Sequence, residues 1–553
     1  MRSLSLALVA LLLAPVLPAA LQPAALAQRV LGPSQDATTI KRGTLRTSIT
    51  GENILLRGRW NQGVSQPLGA GLDAPLDGTV LREMAVVQDV LQSLGAPDAI
   101  ATLGHPQTDL RQRLAITRLG FDYGISDRLM LRVQAPFVRV RAEAQMGPMY
   151  GMITMGPNPI TLGSGVAAQN RAVVDAYTAA ASALTARRDA CTANASAHPE
   201  CGSILAAGPQ VAATITRANQ FASALATIYG ASGLAAGQPF VPTQGNAVEL
   251  ALAQVGNGLV ANFNQWGVTN VSTSTGLPVA AQTPITADQL AAILRDAAPD
   301  GLEAKGTGKS TRQNLGDVDV GLTFNVFDRV PSAADTAARG IAVRQSLALT
   351  YRVGGGHYDL PEDFIDLGTG SGHDAIALHA MTDVVLTRRL WATVTLGWAQ
   401  AFAHERTLRV PVIAGVDLIG AEQLAQVRIE PAGLLDLRLA PRYVLNDYIG
   451  IGGEWRYRVR GADRVWRIDD GTAVTTPVPY GDGGMQAPSD SDEHRWAWTF
   501  SYSTLDSRRR GVARLPLEIF YTHEQSVGSS RGVVPRRWED RVQLRFYTRL
   551  FGR

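Results

Sequence analysis

Apolar and polar residues alternate one by one through much of the chain from 311 to 551, and again from 112 to 146. In residues 317–327, for example, every second residue from Val318 to Val326 is apolar, while Asp319, Thr323 and Asn325 stand between them. Successive side chains of a β-strand point to opposite faces, so this period of two predicts strands with one apolar and one polar face. We count about twelve such segments. The sequence therefore predicts an all-β fold for most of the chain.

The connections between these segments help to choose between a membrane barrel and a water-soluble sandwich, because both have alternating strands. The joins after the second, sixth, eighth and tenth segments are the short stretches ISDR, TRR, ND and SRRR, and most of the others are longer. Short turns at one rim, long loops at the other and an even strand number are typical of bacterial outer-membrane barrels. A sheet in hydrocarbon must also close on itself to satisfy its backbone hydrogen bonds. We therefore expect an all-β transmembrane fold, an antiparallel outer-membrane β-barrel of about 12 strands, located in the bacterial outer membrane.

The N-terminus has the pattern of a secretory signal peptide. Arg2 precedes an apolar run from Leu4 to Leu21, and the small-residue site Ala25-Leu26-Ala27 predicts cleavage before Gln28. A retained membrane anchor is the alternative. Beyond residue 28 no window of 18 consecutive apolar residues occurs, so the sequence predicts no membrane-spanning helix there. These boundaries give a signal peptide at 1–27, a segment at 28–146 with the first strands and a helix near 79–94, an insert at 147–310, and the remaining strands at 311–553.

The insert at 147–310 has a helical pattern and would form an extracellular cap, a plug in the barrel, or a disordered tract. Four segments have helical periodicity, and the last begins with a capping box formed by Thr286 and Gln289. Its apolar content argues against disorder. The only two cysteines, Cys191 and Cys201, lie here, and an exported chain would join them in a disulfide. A metal site would need more ligands than the neighbouring His198 supplies, so we predict no metal.

Two strand segments change phase. In 112–124 the apolar set moves from Leu114 and Ile116 to Leu119 and Phe121, and in 128–146 it moves near Pro136. One inserted residue flips the faces of a strand, and a bulge tolerates proline. We therefore expect a β-bulge in each segment.

A glycine-rich stretch, FIDLGTGSGHDAIALHA at 364–380, resembles the cofactor-binding loop of methyltransferases in the spacing of Asp366, Gly368, Gly370 and Gly372. Such a loop needs a buried strand before it and a helix after it in a parallel α/β unit. Here the following residues alternate as a strand instead. The sequence therefore predicts no cofactor.

A second resemblance fits the same residues better. The segments RLGFDYGISDRLMLRVQAPF and LPEDFIDLGTGSGHDAIAL resemble outer-membrane proteins of the family associated with the meta pathway of phenol degradation. The residues in the matching places are Tyr123, Gly124, Asp127, Arg128, Leu129, Pro136, Phe137, Leu367, Gly368, Thr369, Gly370 and Asp374. The resemblance implies a barrel that moves apolar or aromatic small molecules, with Gly368 and Gly370 in a loop that descends into a strand.

The polar faces of the strands are rich in arginine and would line the lumen if the apolar faces meet lipid. The candidates are Asp436, Arg438, Arg442, Glu454, Arg456, Arg458, Arg460, Arg495, Arg514, Glu518, Arg541, Arg545 and Arg549. A cationic wall would favour anionic solutes. Alternatively, these arginines pair with Asp and Glu of neighbouring strands and fill the interior of the barrel.

These features predict a porin-like passive channel for small molecules, with outer-membrane lipid and a small solute as its partners, working as a monomer. A formal net charge of +3 in 553 residues gives no argument for nucleic acid. One alternative is a surface adhesion protein that binds through the helical insert and uses the barrel as an anchor. Another is an outer-membrane hydrolase, for which His373 and His404 are weak candidates, but no catalytic residues are predicted.

Overall fold

Twelve strands form a closed antiparallel barrel in the computed structural model, which confirms the expected fold. The described residues are 36–147, 149–269, 276–296, 302, 308–330, 341–361, 363–365, 367–387, 389–411, 418–420, 423–476, 478–479, 486–487, 490–505 and 515–550. The barrel strands are β1 (Thr44–Asn61), β2 (Thr108–Gly124), β3 (Leu129–Met146), β4 (Val318–Asp328), β5 (Ala342–Val353), β6 (Ala375–Val385), β7 (Leu390–Ala401), β8 (Leu434–Val444), β9 (Ile449–Arg460), β10 (Ser491–Ser503), β11 (Leu517–Gly528) and β12 (Val533–Arg549). Neighbours in this order pair with each other, and β1 closes the ring by pairing with both β2 and β12. The segment Lys309–Leu315 continues β4 upward along β3. The predicted signal peptide lies outside the described residues.

Six helices of the described residues lie in the connections on one side of the barrel, which we call the upper side. They are α1 (Arg82–Ser93), α2 (Ser164–Ala193), α3 (Cys201–Ala206), α4 (Gly208–Tyr229), α5 (Ala247–Gln265) and α6 (Ala287–Arg295). We call α2–α6 the cap. Thr286 forms the expected capping box with Gln289, and the disulfide between Cys191 and Cys201 joins α2 to α3. Among the described residues, no helix is both long and apolar enough to cross a membrane.

Shorter elements complete the upper side. His404–Arg409, Leu424–Glu430 and Arg464–Arg467 form a three-stranded sheet above β7–β10, which we call the external sheet. Val64–Pro67 pairs with β1, Met155–Pro157 pairs with Phe240–Pro242, and Val478–Pro479 pairs with Gln486–Ala487. In the part of the chain that the structure describes, two 3-10 helices span Leu68–Leu72 and Pro159–Leu162.

The bulges expected in β2 and β3 are a wrong prediction. The two strands pair residue for residue from Thr108 opposite Met146 to Gly124 opposite Met130. The apolar residues change sides because the surroundings change. In the upper halves Leu114 and Val138 point inward, where they join a buried hydrophobic cluster, and polar residues such as Arg113 and Arg139 are exposed on the outside. The strands β12, β1, β2 and β3 have 17 or 18 residues, against 11 to 13 in the others, so they extend above the rest of the barrel.

The expected alternation of short and long connections is only partly correct. The turns after β2, β6 and β8 are short, but β10 and β11 are separated by thirteen residues, 504–516, most of which lie outside the described residues. On the upper side, four residues, Ser529 to Gly532, join β11 to β12. Asp492 stabilises this turn because its Oδ1 accepts hydrogen bonds from the backbone N–H of Ser530 at 2.6 Å and of Arg531 at 2.9 Å.

The cap and the upper barrel share one hydrophobic core. The same cluster of buried residues contains Phe221 and Phe263 from the cap and Leu56, Val138 and Val140 from the inner faces of β1 and β3. Leu68–Leu72 contacts β1 and β2 directly, and the cluster continues from there to the cap. Burial of apolar surface is the main favourable term in folding, so this continuity links the cap to the upper barrel.

Candidate functional site: the barrel interior

Arginines and carboxylates form an ion-pair network across the inner face of the barrel. Asp436 on β8 lies between Arg438, at 2.7 Å, and Arg456 on β9, at 2.6 Å. Across the barrel, Asp122 on β2 lies between Arg46, at 2.8 Å, and Arg132, at 2.6 Å. The same sharing recurs for Glu52 with Arg118 and Arg541, for Glu539 with Arg537 and Arg541, and for Glu493 with Arg495 and Arg458. Because two arginines share one carboxylate, the network carries more positive than negative charge.

Two adjoining chambers occupy the interior. The upper one has a volume of about 320 Å³ and combines the apolar side chains of Ile54, Leu114 and Ile116 with arginines. The lower one has a volume of about 470 Å³, and eleven arginines and seven carboxylates line it. Arg118, Arg458 and Arg495 line both chambers, together with Glu52, Gln134, Asp319, Arg352 and Arg537. The interior is therefore amphipathic above and cationic below.

The glycine-rich stretch that resembled a cofactor loop forms part of the upper chamber wall. Asp317 holds this loop: its Oδ1 accepts a hydrogen bond from Gly356 N at 2.9 Å, and its Oδ2 accepts from Ser371 N at 2.8 Å and Oγ at 2.7 Å. A Cβ atom at Gly370 would lie 2.6 Å from Asp317 Oδ1, so only glycine permits this approach. Gly368, Thr369 and Gly370 line the chamber, as expected of a loop that descends toward a strand.

The chain from Asp36 to Ile40 lies inside the lower end of the barrel. Ala37 is fully buried, and its carbonyl oxygen accepts hydrogen bonds from Ser346 Oγ at 2.6 Å and Asn325 Nδ2 at 3.4 Å. Thr39 Oγ1 donates to the carbonyl oxygen of Asp127 at 3.0 Å. The Asp36 carboxylate is buried in the field of Arg46, Arg442 and Arg545. This segment contacts residues of β4, β5 and the β2–β3 turn and faces arginines of β1, β8 and β12, so it crosses the lower mouth.

The outer face of the barrel carries the apolar residues of the alternating strands. Exposed outward side chains include Phe324 (47 %), Leu349 (47 %), Trp398 (46 %), Phe500 (52 %) and Val542 (48 %). These apolar side chains form a continuous belt around a closed sheet whose charged residues point inward. Such a belt is stable when lipid, and not water, surrounds it. The chain is a bacterial outer-membrane β-barrel.

Comparisons with solved structures give outer-membrane barrels with low similarity. The COG4313 outer membrane channel from Pseudomonas putida F1 aligns with a TM-score of 0.41 and 8% identity, over 93% of this chain and 99% of that chain. A FadL homologue from Pseudomonas aeruginosa aligns with a TM-score of 0.24 and 7% identity, over 92% and 90% of the two chains. The transport unit of the Escherichia coli autotransporter AIDA-I aligns with a TM-score of 0.29 and 6% identity, over 91% of this chain and 90% of that chain. Neither a family model nor a curated protein matches the sequence.

Most of the residues that the sequence predicts for the barrel interior line the lower chamber. These are Asp436, Arg438, Glu454, Arg456, Arg458, Arg495, Arg541 and Arg545. Arg442 and Glu518 are buried, and Arg460 pairs with Asp463 at 2.8 Å near the upper end of β9. Arg549 is exposed at the end of β12, and Arg514 lies outside the described residues.

Several interior residues of the barrel were missed from the sequence. Glu52, Arg118, Asp122 and Arg132 lie on β1–β3, where the change of polarity along the strands hid the inward set. Asp36 precedes the first strand and gives no periodic signal. The position of Asp317 just before an alternating segment could have indicated a role at the strand entrance.

We expect the external sheet of the barrel to loosen in acid. The rings of His373 and His404 stack with centroids 4.3 Å apart, and burial, followed by the charge of His373, lowers the pKa of His404 to about 4. An unfolded histidine has a pKa of about 6.5, so this contribution to stability is complete above that pH and is lost as the pH falls toward 4. The rate of backbone hydrogen exchange in Leu424–Glu430, corrected for intrinsic rates, should rise as the pH is lowered from 6.5 to 4.

The variant His404→Gln is the control, because glutamine does not titrate. Its exchange in the external sheet should vary little over this pH range. An equal acid-induced increase in wild type and variant would contradict the assignment to His404.

Proposed function

We propose that this barrel is a passive, non-enzymatic, monomeric channel for small molecules and that it prefers anions with an apolar body. The observation that carries the proposal is Arg458, which lines both chambers at their junction. Its nearest paired carboxylate, that of Glu493, is 3.8 Å away, and its Nε has no hydrogen-bond partner among the described residues. This guanidinium is therefore less closely paired than those of Arg438 and Arg456, and a solute anion in the chambers would supply a second charge partner.

The two chambers support a solute with two chemically different parts. A carboxylate would meet the guanidinium of Arg458, and a ring or short chain would contact Ile54, Leu114 and Ile116 above it. Arginine binds carboxylates through directed, charge-assisted hydrogen bonds. The resemblance to the meta-pathway family implies apolar or aromatic solutes, and an aromatic carboxylate would satisfy both requirements.

Planar-bilayer recording tests this proposal. We expect the reversal potential in a KCl gradient to show preference for chloride, and sodium benzoate to reduce the chloride current. In Arg458→Gln, block by benzoate should weaken at least about tenfold, because a hydrogen bond to a charged group contributes on the order of 1.5–3 kcal/mol. Arg428→Gln, in the exposed part of the external sheet, is the control and should behave as wild type.

Two outcomes would contradict the channel. One is a preference for cations in the KCl gradient. The other is the absence of any current in the wild-type protein and in a variant whose lower mouth has been opened.

A surface-binding role for the cap is a second candidate, favoured by a separate cavity of about 670 Å³ on the cap. Leu250, Val255, Leu259 and Arg217 line it beside the segment that follows α1, and Leu250 is 60 % exposed. If the cap binds a partner there, Leu250→Asp should abolish binding to whole cells and leave conductance unchanged. If the barrel is only a channel, neither property should change.

A further inference from the structure

Three arginines form a cluster on the outside of the long strands β2 and β3, which we call the rim patch. Arg113 on β2 lies directly opposite Arg141 on β3, and Arg139 is the next residue of β3 on the same outward face. All three are exposed. Arg113 Nε donates a hydrogen bond to Asn53 Oδ1 at 2.7 Å, which holds its guanidinium against β1.

No carboxylate among the described residues pairs with the rim patch. The next outward residues above the patch are Arg111 on β2 and Glu143 on β3, which lie opposite each other. Glu143 pairs with Lys309 at 3.6 Å, and Arg111 pairs with Asp109, one outward position further up, at 2.6 Å. Like charges directly opposite each other in a sheet are destabilising. The pair Arg113–Arg141 is therefore a local excess of positive charge that an external anion would relieve.

The position of the patch indicates where that anion lies. The outward residue immediately below Arg139 on β3 is Phe137, 53 % exposed, and the belt continues through Leu315 and Leu119. Two residues along a strand span about 7 Å. The rim patch therefore begins one side-chain step above the apolar belt, at the level of the lipid headgroups. The shorter strands keep apolar residues, such as Val353 on β5, close to their upper ends.

We propose that the rim patch binds the phosphate groups of a phosphorylated membrane lipid at the upper membrane surface. Arginine forms bidentate hydrogen bonds with phosphate, and three guanidinium groups on one face match a headgroup with more than one phosphate. Acyl chains of the same lipid would lie along Phe137, Leu119 and Leu315. This lipid would neutralise the Arg113–Arg141 pair and hold the wall that carries the cap.

Native mass spectrometry of the purified full-length barrel with lipid A that carries two phosphates tests the proposal. We expect saturable binding, and we expect the triple variant Arg113→Gln, Arg139→Gln, Arg141→Gln to bind at least about tenfold more weakly. The matched control removes three solvent-accessible arginines elsewhere, Arg171→Gln, Arg188→Gln and Arg428→Gln, and should bind lipid A as the wild type does.

Two further measurements separate the headgroup from other sources of binding. Chemically dephosphorylated lipid A should bind the wild type as weakly as intact lipid A binds the triple variant, and millimolar inorganic phosphate should not displace intact lipid A. Equal binding of both lipids, equal binding by both triple variants, or displacement by free phosphate would each overturn the proposal. The heat-induced mobility shift of the barrel on gels confirms that each variant is folded.

Discussion

Replacing Asp436 by asparagine is expected to destabilise the barrel by about 3 kcal/mol, because removal of one partner from a buried charge network leaves the others uncompensated. The Asp436 side chain is 8 % exposed and accepts hydrogen bonds from Arg438 and Arg456. Asparagine keeps the shape of the side chain but loses the charge that both guanidinium groups share. Urea unfolding of the barrel in lipid vesicles measures the loss.

A matched control and a rescue make the test specific to the network. Asp470→Asn removes a carboxylate from an exposed turn after the external sheet and should leave the unfolding midpoint unchanged. Combining Asp436→Asn with Arg438→Gln removes one of the two uncompensated charges and should recover part of the stability. If Asp436→Asn unfolds at the wild-type urea concentration, the ion pairs contribute nothing to the barrel.

Changing Asp36 to arginine is expected to open the lower mouth and to raise single-channel conductance several-fold. In the wild type this carboxylate lies in the field of Arg46, Arg442 and Arg545, which attract it. A fourth positive charge at the same buried place would be repelled, and the segment would leave the barrel together with Ala37. Conductance in planar bilayers at fixed salt measures the change.

Asp36→Asn separates charge from size at this position. It removes the attraction but adds no repulsion, so we expect a smaller increase in conductance than with arginine. Raising the salt concentration screens exposed charges but screens buried ones much less, so the difference between the variants should persist. Equal conductance, corrected for salt, in wild type and Asp36→Arg would show that residues 36–40 do not obstruct the pathway.

The fold of the barrel was predictable because each strand has one face against lipid and the other against the charged interior. Lipid outside the barrel and charged groups inside it make apolar and polar residues alternate, as around Phe324, Leu349 and Val542. This alternation can be recognised in the sequence without any knowledge of tertiary contacts. The helices were predictable for a related reason, since Thr286 and Gln289 encode the start of α6 locally.

The parts that were not predictable depend on which medium surrounds a residue. Leu114 and Val138 belong to strands whose upper inner face lines a buried hydrophobic cluster, so the usual assignment of apolar residues to the outside fails there. The pairing of one carboxylate with two arginines also depends on strand register, and the buried place of Asp36 depends on a segment that has no period at all.

The single core that joins the cap to β1–β3 limits how this molecule can be re-engineered. A loop that folds by itself can be transplanted between hosts at its two ends, but this one would arrive without the apolar strand residues that belong to the same buried cluster. A chimera on another barrel would need the inward residues of three host strands to be rewritten, Leu56, Val138 and Val140 among them. Recombination during evolution meets the same constraint, so the helices and the wall behind them should be inherited together.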